Sequence, residues 1–287
     1  MQLISSVSGD NMKLAKVAIT GGKGGVGKST VSILLANKLR RQGKRVVLAD
    51  LDVECPNDYL LLGQTLEKPK GKTYAQFPKL DKEKCQKCGL CVSKCRSNAI
   101  FQSPGQYPVF IHELCSGCGL CWHLCPYGAI KIEKKVIGEI FENKVDDSFY
   151  LVTGRSMGIV EETGPIVTET KNYALKLAKK IKADYLLVDT SVGMHCGVIR
   201  ALLDSGLAYA VTEPTPLGAH DLKLILELLK TVKIPTKIVL NQADLGKSKL
   251  IEEIAEENKV EIKYRIPYSK KLVGAYSKGR LQEIDIL

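Results

Sequence analysis

The hydrophobic pattern of the first fifty residues alternates between apolar runs and one amphipathic stretch. The run KVAIT (residues 16–20) predicts a buried strand that leads into a glycine-rich loop. Residues 28–43 place apolar side chains at helical spacing and end in Gly43, which is typical of a helix stop. RVVLAD (residues 45–50) predicts a second buried strand that ends in an acidic residue. Together these elements predict a βαβ unit.

The same alternation returns near the middle of the chain and continues to its end. Further strands are predicted at residues 149–152, 185–189, 207–212, 236–241 and 260–266, and helices at residues 165–182 and 220–232. The strand segments are rich in Leu, Val and Ile, which favours strands buried on both faces. The predicted fold class is therefore α/β with a mostly parallel sheet.

Between residues 63 and 147 this rhythm is absent, over an interval too long for a loop within a compact domain. The interval contains an internal repeat, because residues 85–100 align with residues 115–130 at an offset of 30, with 8 of 16 positions identical. We therefore predict an inserted domain. Its bounds are residues 77–137, and residues 1–76 and 138–287 form the surrounding domain.

Each copy of the repeat carries the cysteine pattern C-x2-C-x2-C-x3-C. This spacing is typical of two-cluster ferredoxins, in which the fourth cysteine of each motif binds the cluster of the other motif. The predicted 4Fe-4S ligand sets are Cys85, Cys88, Cys91 and Cys125 for the first cluster, and Cys115, Cys118, Cys121 and Cys95 for the second. Zinc is the competing interpretation, although zinc ribbons separate their cysteine pairs by a longer stretch. Because so small a module has little core, we expect it to unfold first without its clusters.

The loop GGKGGVGKST (residues 21–30) fits the phosphate-binding pattern Gly-x4-Gly-Lys-Ser. Lys28 is the predicted ligand of the β and γ phosphates, and Ser29 the predicted ligand of Mg²⁺. The nucleotide-binding residues expected in this loop are Gly22, Lys23, Gly24, Gly25, Val26, Gly27, Lys28, Ser29 and Thr30. The loop follows a predicted strand and precedes a predicted helix, so its N–H groups are placed to bind phosphate oxygens.

The segment KGGVGKST resembles the deviant phosphate loop of the MinD, ParA and nitrogenase iron protein ATPases. The resemblance implies that ATP binding produces a homodimer in which Lys23 reaches the nucleotide of the partner subunit. Lys23 would then act with Lys28 in catalysis, in the manner of an arginine finger. The alternative is that Lys23 is a surface lysine in a glycine turn.

Other segments extend the resemblance along most of the chain. ADLDVECPN is similar to the family's first switch, which implies that Asp50 lies near Mg²⁺ and that the catalytic Asp52 orients the attacking water. YLLVDTSVG resembles the Walker B strand and second switch, with Asp189 next to Mg²⁺. In this second switch Ser191 and Val192 replace the double proline that is usual in relatives with inserted ferredoxins.

The segment VLNQAD resembles the strand end that reads the nucleotide base, with Asn241 as the predicted adenine contact. GTP stays open as an alternative, because NQAD differs at one position from the guanine-reading pattern Asn-Lys-x-Asp. The resemblance thus implies an α/β P-loop NTPase fold that contains an inserted two-cluster 4Fe-4S ferredoxin domain.

The combination predicts an ATPase that couples dimerisation to low-potential electron transfer to a redox or iron-sulfur partner protein. One alternative is an iron-sulfur cluster carrier, although no cysteine follows Cys196. Another is a spatial organiser similar to MinD. MinD-type proteins end in an amphipathic membrane helix, whereas residues 266–287 match the family's last core strand and helix, so no membrane anchor is expected.

Composition narrows these possibilities further. The net charge is +11, but the basic residues are spread over predicted helix faces, so nucleic acid is an unlikely partner and a polyanion surface stays open. Residues 1–13 lack a basic start and a long apolar centre, and no stretch is long enough to span a membrane. These features predict a cytoplasmic protein in a reducing compartment. Cys55 and Cys196, outside the repeat, are predicted to be buried structural thiols.

Overall fold

The computed structural model describes residues 14–158 and 161–287. The prediction drawn from residues 1–13, which lack a basic start and a long apolar centre, falls outside these described residues. The strands are β1 (Ala15–Thr20), β2 (Val46–Asp50), β3 (Gly71–Leu80), β4 (Ile100–Phe101), β5 (Val109–Phe110), β6 (Ile130–Lys144), β7 (Phe149–Ser156), β8 (Tyr185–Asp189), β9 (Leu207–Thr212), β10 (Thr236–Asn241) and β11 (Ile262–Ile266). The α-helices are α1 (Lys28–Arg41), α2 (Asp58–Leu61), α3 (Leu90–Ser93), α4 (Leu120–His123), α5 (Gly164–Lys180), α6 (Cys196–Leu202), α7 (Pro216–Thr231), α8 (Lys249–Glu257) and α9 (Lys270–Ser277).

One nine-stranded sheet forms the centre of the molecule, in the order β11-β10-β9-β1-β8-β2-β7-β6-β3. The neighbours from β11 to β7 pair in parallel, which confirms the predicted mostly parallel sheet. Their side chains are buried on both faces, and one hydrophobic core lies on each face of the sheet. The order reverses around β1, so the loop after β1 lies at the switch point where α/β sheets bind ligands.

The predicted helices are present, with shifted ends. The helix predicted at residues 220–232 begins earlier, at Pro216, because the hydroxyl of Thr215 accepts a hydrogen bond from the N–H of Gly218 and caps the first turn. Pro216 occupies the first helical position, where a missing N–H costs nothing. The helix predicted at residues 165–182 corresponds to α5, which begins one residue earlier, at Gly164, and ends two residues earlier, at Lys180.

Two long strands lie in the interval where the sequence rhythm is absent. β3 and β6 pair antiparallel from Gly71 and Ile140 to Leu80 and Ile130, and β6 also pairs antiparallel with β7. They therefore extend the central sheet. The hydrophobic pattern did not predict them, because lysines and glutamates interrupt the apolar positions of these half-exposed strands.

The cysteine-rich segment, residues 81–129, connects the ends of β3 and β6. Its internal repeat is visible in the backbone, because α3 and α4 lie 30 positions apart and each follows a glycine with positive φ. The N–H of Asp81 donates to the carbonyl of Ala129 at 2.8 Å. Thirty positions later, the N–H of Ile111 donates to the carbonyl of Ala99 at 2.8 Å. The two halves of the segment thus exchange equivalent hydrogen bonds.

Candidate functional site

The glycine-rich loop joins β1 to α1 at the carboxyl edge of the sheet. Gly25 and Gly27 have φ angles of 82° and 93°, in the left-handed region that favours glycine. A Cβ atom at Gly27 would also collide with the side-chain amide of Asn241. The loop therefore turns tightly into α1, whose first turn contains no acidic residue. The free N–H groups of this turn form an anion-binding position.

Lys28 begins α1 and is buried against the loop. Its Nζ donates a hydrogen bond to the carbonyl oxygen of Lys23 at 3.2 Å. Burial lowers the pKa of Lys28, whereas the nearby carboxylates of Asp189 and Asp52 act in the opposite direction. The ammonium thus lies between the loop backbone and the acidic ends of two strands.

Lys23 is held by its own chain. Its Nζ forms an ion pair with Oε1 of Glu213 at 2.6 Å, and the two side chains are 25% and 15% exposed. The hydroxyl of Thr215 donates to the same carboxylate oxygen at 3.0 Å. Glu213 follows β9 and was not among the residues predicted from the sequence. A single acidic residue after a strand carries no signal for a partner 190 positions away.

The acidic strand ends meet beside the loop. Asp50 and Asp189 end the neighbouring strands β2 and β8 and lie opposite each other in the register. Both are buried, and burial, which is the largest cause, raises the pKa of Asp189 to about 6. Burial and the neighbouring Asp189 carboxylate raise the pKa of Asp50 well above its usual range. Oxygen ligands of this kind suit Mg²⁺.

A third carboxylate that sequence analysis did not predict completes this acidic group. Asp58, the first residue of α2, is fully buried. Carboxylate oxygens of Asp50, Asp58 and Asp189 lie within 4.8 Å of one another. Burial, followed by the charges of Asp189 and Asp50, raises the pKa of Asp58 well above its usual range. Asp58 ends no strand and belongs to no motif recognised in the sequence, so only the packing of α2 brings it here.

A cavity of about 430 Å³ opens in front of the loop, a volume suited to a small organic ligand. Lys28, Ser29 and Asp52 are among the residues that line it. Asp52 is partly buried, and burial raises its pKa. Asn241 and two tyrosines, Tyr268 and Tyr276, also line it. The predicted phosphate contact Lys28, the predicted metal ligand Ser29 and the predicted base contact Asn241 therefore lie around one cavity, whereas Asp50 and Asp189 are not among its lining residues.

The side-chain amide nitrogen of Asn241 already donates a hydrogen bond within the protein. Its Nδ2 donates to the carbonyl oxygen of Val26 at 2.9 Å, which ties the end of β10 to the phosphate loop. Three positions later, Oδ1 of Asp244 accepts the backbone N–H of Tyr268 at 2.6 Å. The acidic residue of the NQAD segment is thus used to hold the wall of the cavity.

The cysteines of the repeat line two further cavities. The first is lined by Cys85, Cys88, Cys91 and Cys125, and the second by Cys95, Cys115, Cys118 and Cys121. Each cavity thus receives three thiols from one motif and the last thiol of the other motif. Apolar side chains line both, including Ile130 and Tyr127 in the first and Phe110 and Trp122 in the second.

The crossing cysteines are held in equivalent ways. The N–H of Ala99 donates to Sγ of Cys95 at 3.3 Å, and the N–H of Ala129 donates to Sγ of Cys125 at 3.3 Å. In the second cavity, burial raises the pKa of Cys121 to about 11. The two thiols that leave their own motif are therefore fixed by the turn that follows each of them.

The prediction of buried structural thiols at Cys55 and Cys196 is wrong, because both side chains are exposed. Cys55 lies in the turn between β2 and α2, where its N–H donates to the carbonyl of Asp52. Cys196 is the first residue of α6, after the N-cap residue His195. Both cysteines therefore lie at the surface of the described structure.

A helix that crosses a membrane must be both long and apolar. No helix within residues 14–158 and 161–287 is long and apolar enough to cross one.

A parallel sheet with a glycine loop at its switch point defines a P-loop nucleotide-binding protein. The model of the CobQ/CobB/MinD/ParA nucleotide-binding domain family matches residues 17–282. An uncharacterized protein of Methanocaldococcus jannaschii is 38% identical over 263 residues, which cover 92% of this chain and 89% of that protein. The chain therefore belongs to this nucleotide-binding family.

Solved structures agree on the fold. The cell division ATPase MinD of Pyrococcus furiosus has a TM-score of 0.56 at 17% identity, with 94% of this chain and 90% of that chain covered. The ParA family ATPase of Chlorobium tepidum also has a TM-score of 0.56, at 18% identity over 94% of this chain and 92% of that one. An iron-sulfur cluster carrier protein of Methanocaldococcus jannaschii is 35% identical over 91 residues, or 31% of each chain.

Proposed function

We propose that this protein binds and hydrolyses MgATP, dimerises when ATP is bound, and uses two 4Fe-4S clusters to pass electrons to a partner protein. The observation that carries the proposal is the division of eight cysteines between two cavities, three from one motif and one from the other in each. Two-cluster ferredoxins use this exchange of the fourth ligand.

The metal assignment is supported by the spacing of the sulfur atoms. A single zinc ion, with Zn–S distances of about 2.3 Å, brings its four thiolates to roughly 3.8 Å from one another. Among the described residues, no three cysteine Sγ atoms approach within 4.8 Å of one another. The described cysteines are therefore not already gathered around the position of a single zinc ion. When bound, the clusters supply one-electron transfer at potentials that their surroundings set.

The nucleotide site supports phosphate transfer to water. The loop N–H groups and Lys28 bind the phosphates, while Ser29, Asp50 and Asp189 hold Mg²⁺, which neutralises charge on the phosphate oxygens. Oδ1 of Asp189 has no hydrogen-bond donor among the described residues, so it is free for a metal ligand sphere. Asp52 lines the same cavity as Lys28 and orients the attacking water.

The geometry favours ATP over GTP. Nδ2 of Asn241 is bound to Val26, so Oδ1 is the group that Asn241 offers to a base. An acceptor matches the exocyclic amino group of adenine and does not match the O6 acceptor of guanine. Asp244, which a guanine-reading motif would use, is bound to the backbone of Tyr268.

Dimerisation requires Lys23 to change partners. In the single chain it is paired with Glu213, at 2.6 Å. In the ATP-bound dimer its ammonium leaves this carboxylate and reaches the phosphates of the partner's nucleotide. Its charge is then added as the transition state forms, which makes hydrolysis depend on the second subunit.

The path from nucleotide to clusters is short in sequence. The segment after β2 contains Asp52 and Asp58, and the chain then runs through α2 into β3, which leads to the cysteine segment. The segment after β2, α2 and β3 are consecutive along the chain, so a movement of that segment would be passed to β3 and would change the exposure or docking of the clusters.

The test is a redox titration of the cluster-loaded protein, monitored by electron paramagnetic resonance under anaerobic conditions. Titrations without nucleotide, with MgADP and with MgATP give the two cluster potentials in each state. We expect MgATP to shift at least one potential by about 60 mV, which corresponds to a tenfold change for one electron. Identical potentials in all three states, with unchanged electron transfer to a viologen dye, would contradict the proposal.

A second candidate function is delivery of whole iron-sulfur clusters. It is favoured by the 35% identity over 91 residues to the Methanocaldococcus jannaschii iron-sulfur cluster carrier protein. Mixing the loaded protein with an apo-ferredoxin separates the two functions. Carrier activity moves iron and sulfide together into the acceptor, whereas electron transfer leaves the iron content of both proteins unchanged.

A further inference from the structure

The carboxylates of Asp50, Asp58 and Asp189 form a compact group next to Lys28 and Ser29 of the phosphate loop. Their oxygens lie within 4.8 Å of one another, and the three residues are 1%, 0% and 1% exposed. None of the salt bridges between described residues includes any of the three. Among the described residues, three buried acids therefore share one place with no cation in ion-pair contact, and the Lys28 ammonium near Asp189 is the one basic group whose charge acts on them.

The hydrogen bonds divide these oxygens into two kinds. Asp50 is satisfied by backbone N–H groups, since Oδ2 accepts from Asn57 and Asp58 at 3.0 and 3.1 Å and Oδ1 accepts from Asp52 at 3.2 Å. By contrast, both oxygens of Asp58 and Oδ1 of Asp189 have no hydrogen-bond partner within the described part of the chain. Buried polar atoms normally have a partner, so these three oxygens need one.

We infer that Asp58, Asp50 and Asp189 form a divalent-cation site that is filled before the nucleotide binds. A ligand set made of carboxylate oxygens alone selects hard cations such as Mg²⁺ and Mn²⁺. Removing three carboxylates from water is unfavourable unless opposite charge is nearby, and the single charge of Lys28 does not balance three carboxylates. The bound cation supplies the missing charge. The inference rests on the proposed function only for the later use of this ion by the phosphates.

Asp58 is the residue that distinguishes this site from one built for the nucleotide complex alone. Asp50 and Asp189 end strands of the rigid sheet, whereas Asp58 begins α2. The cation therefore fixes the segment after β2 to the sheet in the nucleotide-free protein. If phosphates then bound the ion, they would take the place of a protein oxygen; of the three ligands, Asp58 is the one that lies on a helix after β2 and not at the end of a strand.

The test is a titration of nucleotide-free, cluster-loaded protein with Mn²⁺, followed by the loss of the free-ion electron paramagnetic resonance signal. We expect one Mn²⁺ bound per chain, displaced by Mg²⁺. Asp58→Asn keeps the shape of the side chain and removes its charge, and it should weaken this binding at least about tenfold. Glu256→Gln is the matched control, since it removes an exposed carboxylate elsewhere and should leave binding unchanged.

Thermal unfolding supplies a second measurement. The wild-type melting temperature should rise with Mn²⁺, because the ion binds the folded state. Asp58→Asn should lose this rise and, without cation, should melt above the wild type, because an unpartnered carboxyl group no longer has to be buried. A merely structural Asp58 would give a lower melting temperature and leave the response to Mn²⁺ unchanged, which would overturn the inference.

Nucleotide binding and hydrolysis are measured on the same preparations. If wild-type protein binds ATP but takes up no Mn²⁺ without nucleotide, the inference fails and the proposed function stands. If Mn²⁺ binds in the absence of nucleotide but ATP is neither bound nor hydrolysed, the site exists and the proposed function fails.

Discussion

Among single residues, the ion pair between Lys23 and Glu213 should restrain the proposed ATP hydrolysis. Glu213→Gln keeps the size of the side chain but removes the charge that holds Lys23 at 2.6 Å. If the pair contributes about 1 kcal/mol, ATP turnover should rise roughly fivefold, and dimerisation with MgATP should occur at lower protein concentration. Steady-state phosphate release measures the first effect. Glu227→Gln, on the exposed face of α7, is the control, and equal turnover in the two variants would contradict a restraint by this ion pair.

The residues of the site were predictable where a residue ends a strand or belongs to a motif. Lys28, Asp50 and Asp189 occupy such positions, and the structure brings them together beside the glycine loop. Asp58 and Glu213 were missed, because their roles depend on partners that are distant in sequence. The same limit explains Cys55 and Cys196, whose exposure depends on what packs over a turn and a helix start.

At the scale of elements, hydrophobic periodicity located the buried strands and the longer helices, whose apolar faces repeat regularly. It did not locate β3 and β6, since lysines and glutamates interrupt the apolar positions along half-exposed strands. In the same interval the spacing of the cysteines still predicted cluster binding, because this prediction does not depend on hydrophobic periodicity. The start of α7 was displaced for another reason, the hydroxyl cap from Thr215.

A buried lysine joins α5 to the end of α6. Nζ of Lys171 donates to the carbonyl oxygens of Arg200 and Ala201 at 3.3 and 2.9 Å, and also to that of Leu203. Lys171→Met keeps the length of the side chain but leaves these carbonyls without a donor. We expect a loss of about 1–3 kcal/mol in the free energy of unfolding, measured by urea denaturation. Lys176→Met, on the exposed side of α5, should change stability little, and equal losses would contradict this role.

The exchange of the fourth ligand predicts a specific pattern of iron loss. Cys95→Ser should remove the cluster bound by Cys115, Cys118 and Cys121, and so halve the iron content from about eight atoms per chain. Adding Cys118→Ser should cause no further loss, because both changes affect one cluster. Adding Cys88→Ser instead should remove the second cluster as well.

Iron and sulfide analysis of the purified variants measures this pattern. Cys196→Ser is the control, since this exposed cysteine lines neither cavity, and it should retain full iron content. If Cys95→Ser combined with Cys88→Ser lost no more iron than Cys95→Ser alone, each motif would supply its own fourth ligand, and the exchange would be wrong.

At the scale of the whole molecule, the chain consists of a family nucleotide-binding fold whose sheet is extended by β3 and β6, with a cysteine-rich segment at their far ends. The sheet has a core on each face, whereas residues 81–129 contain few buried apolar side chains. The loss of rhythm and the repeat predict an inserted domain at residues 77–137, and this division into domains stays a prediction. The sequence did not predict that the connection is a continuous extension of the central sheet.

Removal of the clusters should therefore unfold one part of the molecule and spare the other. After iron is removed with a chelator under reducing conditions, we expect amide hydrogen exchange to increase sharply in residues 81–129 and to change little in β1, β8 and α1. ATP binding should persist in the same sample. Uniform loss of protection along the chain would contradict the view that the central sheet is stable without the clusters.

The proposed joining of two copies of this chain by ATP and Lys23 is tested most directly by sedimentation velocity of the cluster-loaded protein under anaerobic conditions. Asp52→Asn is expected to slow hydrolysis, so that MgATP persists during the measurement. We expect monomers without nucleotide and with MgADP, dimers with MgATP, and monomers in every state when Lys23→Gln is added. A protein that sediments as a monomer whatever nucleotide is present would contradict the proposal.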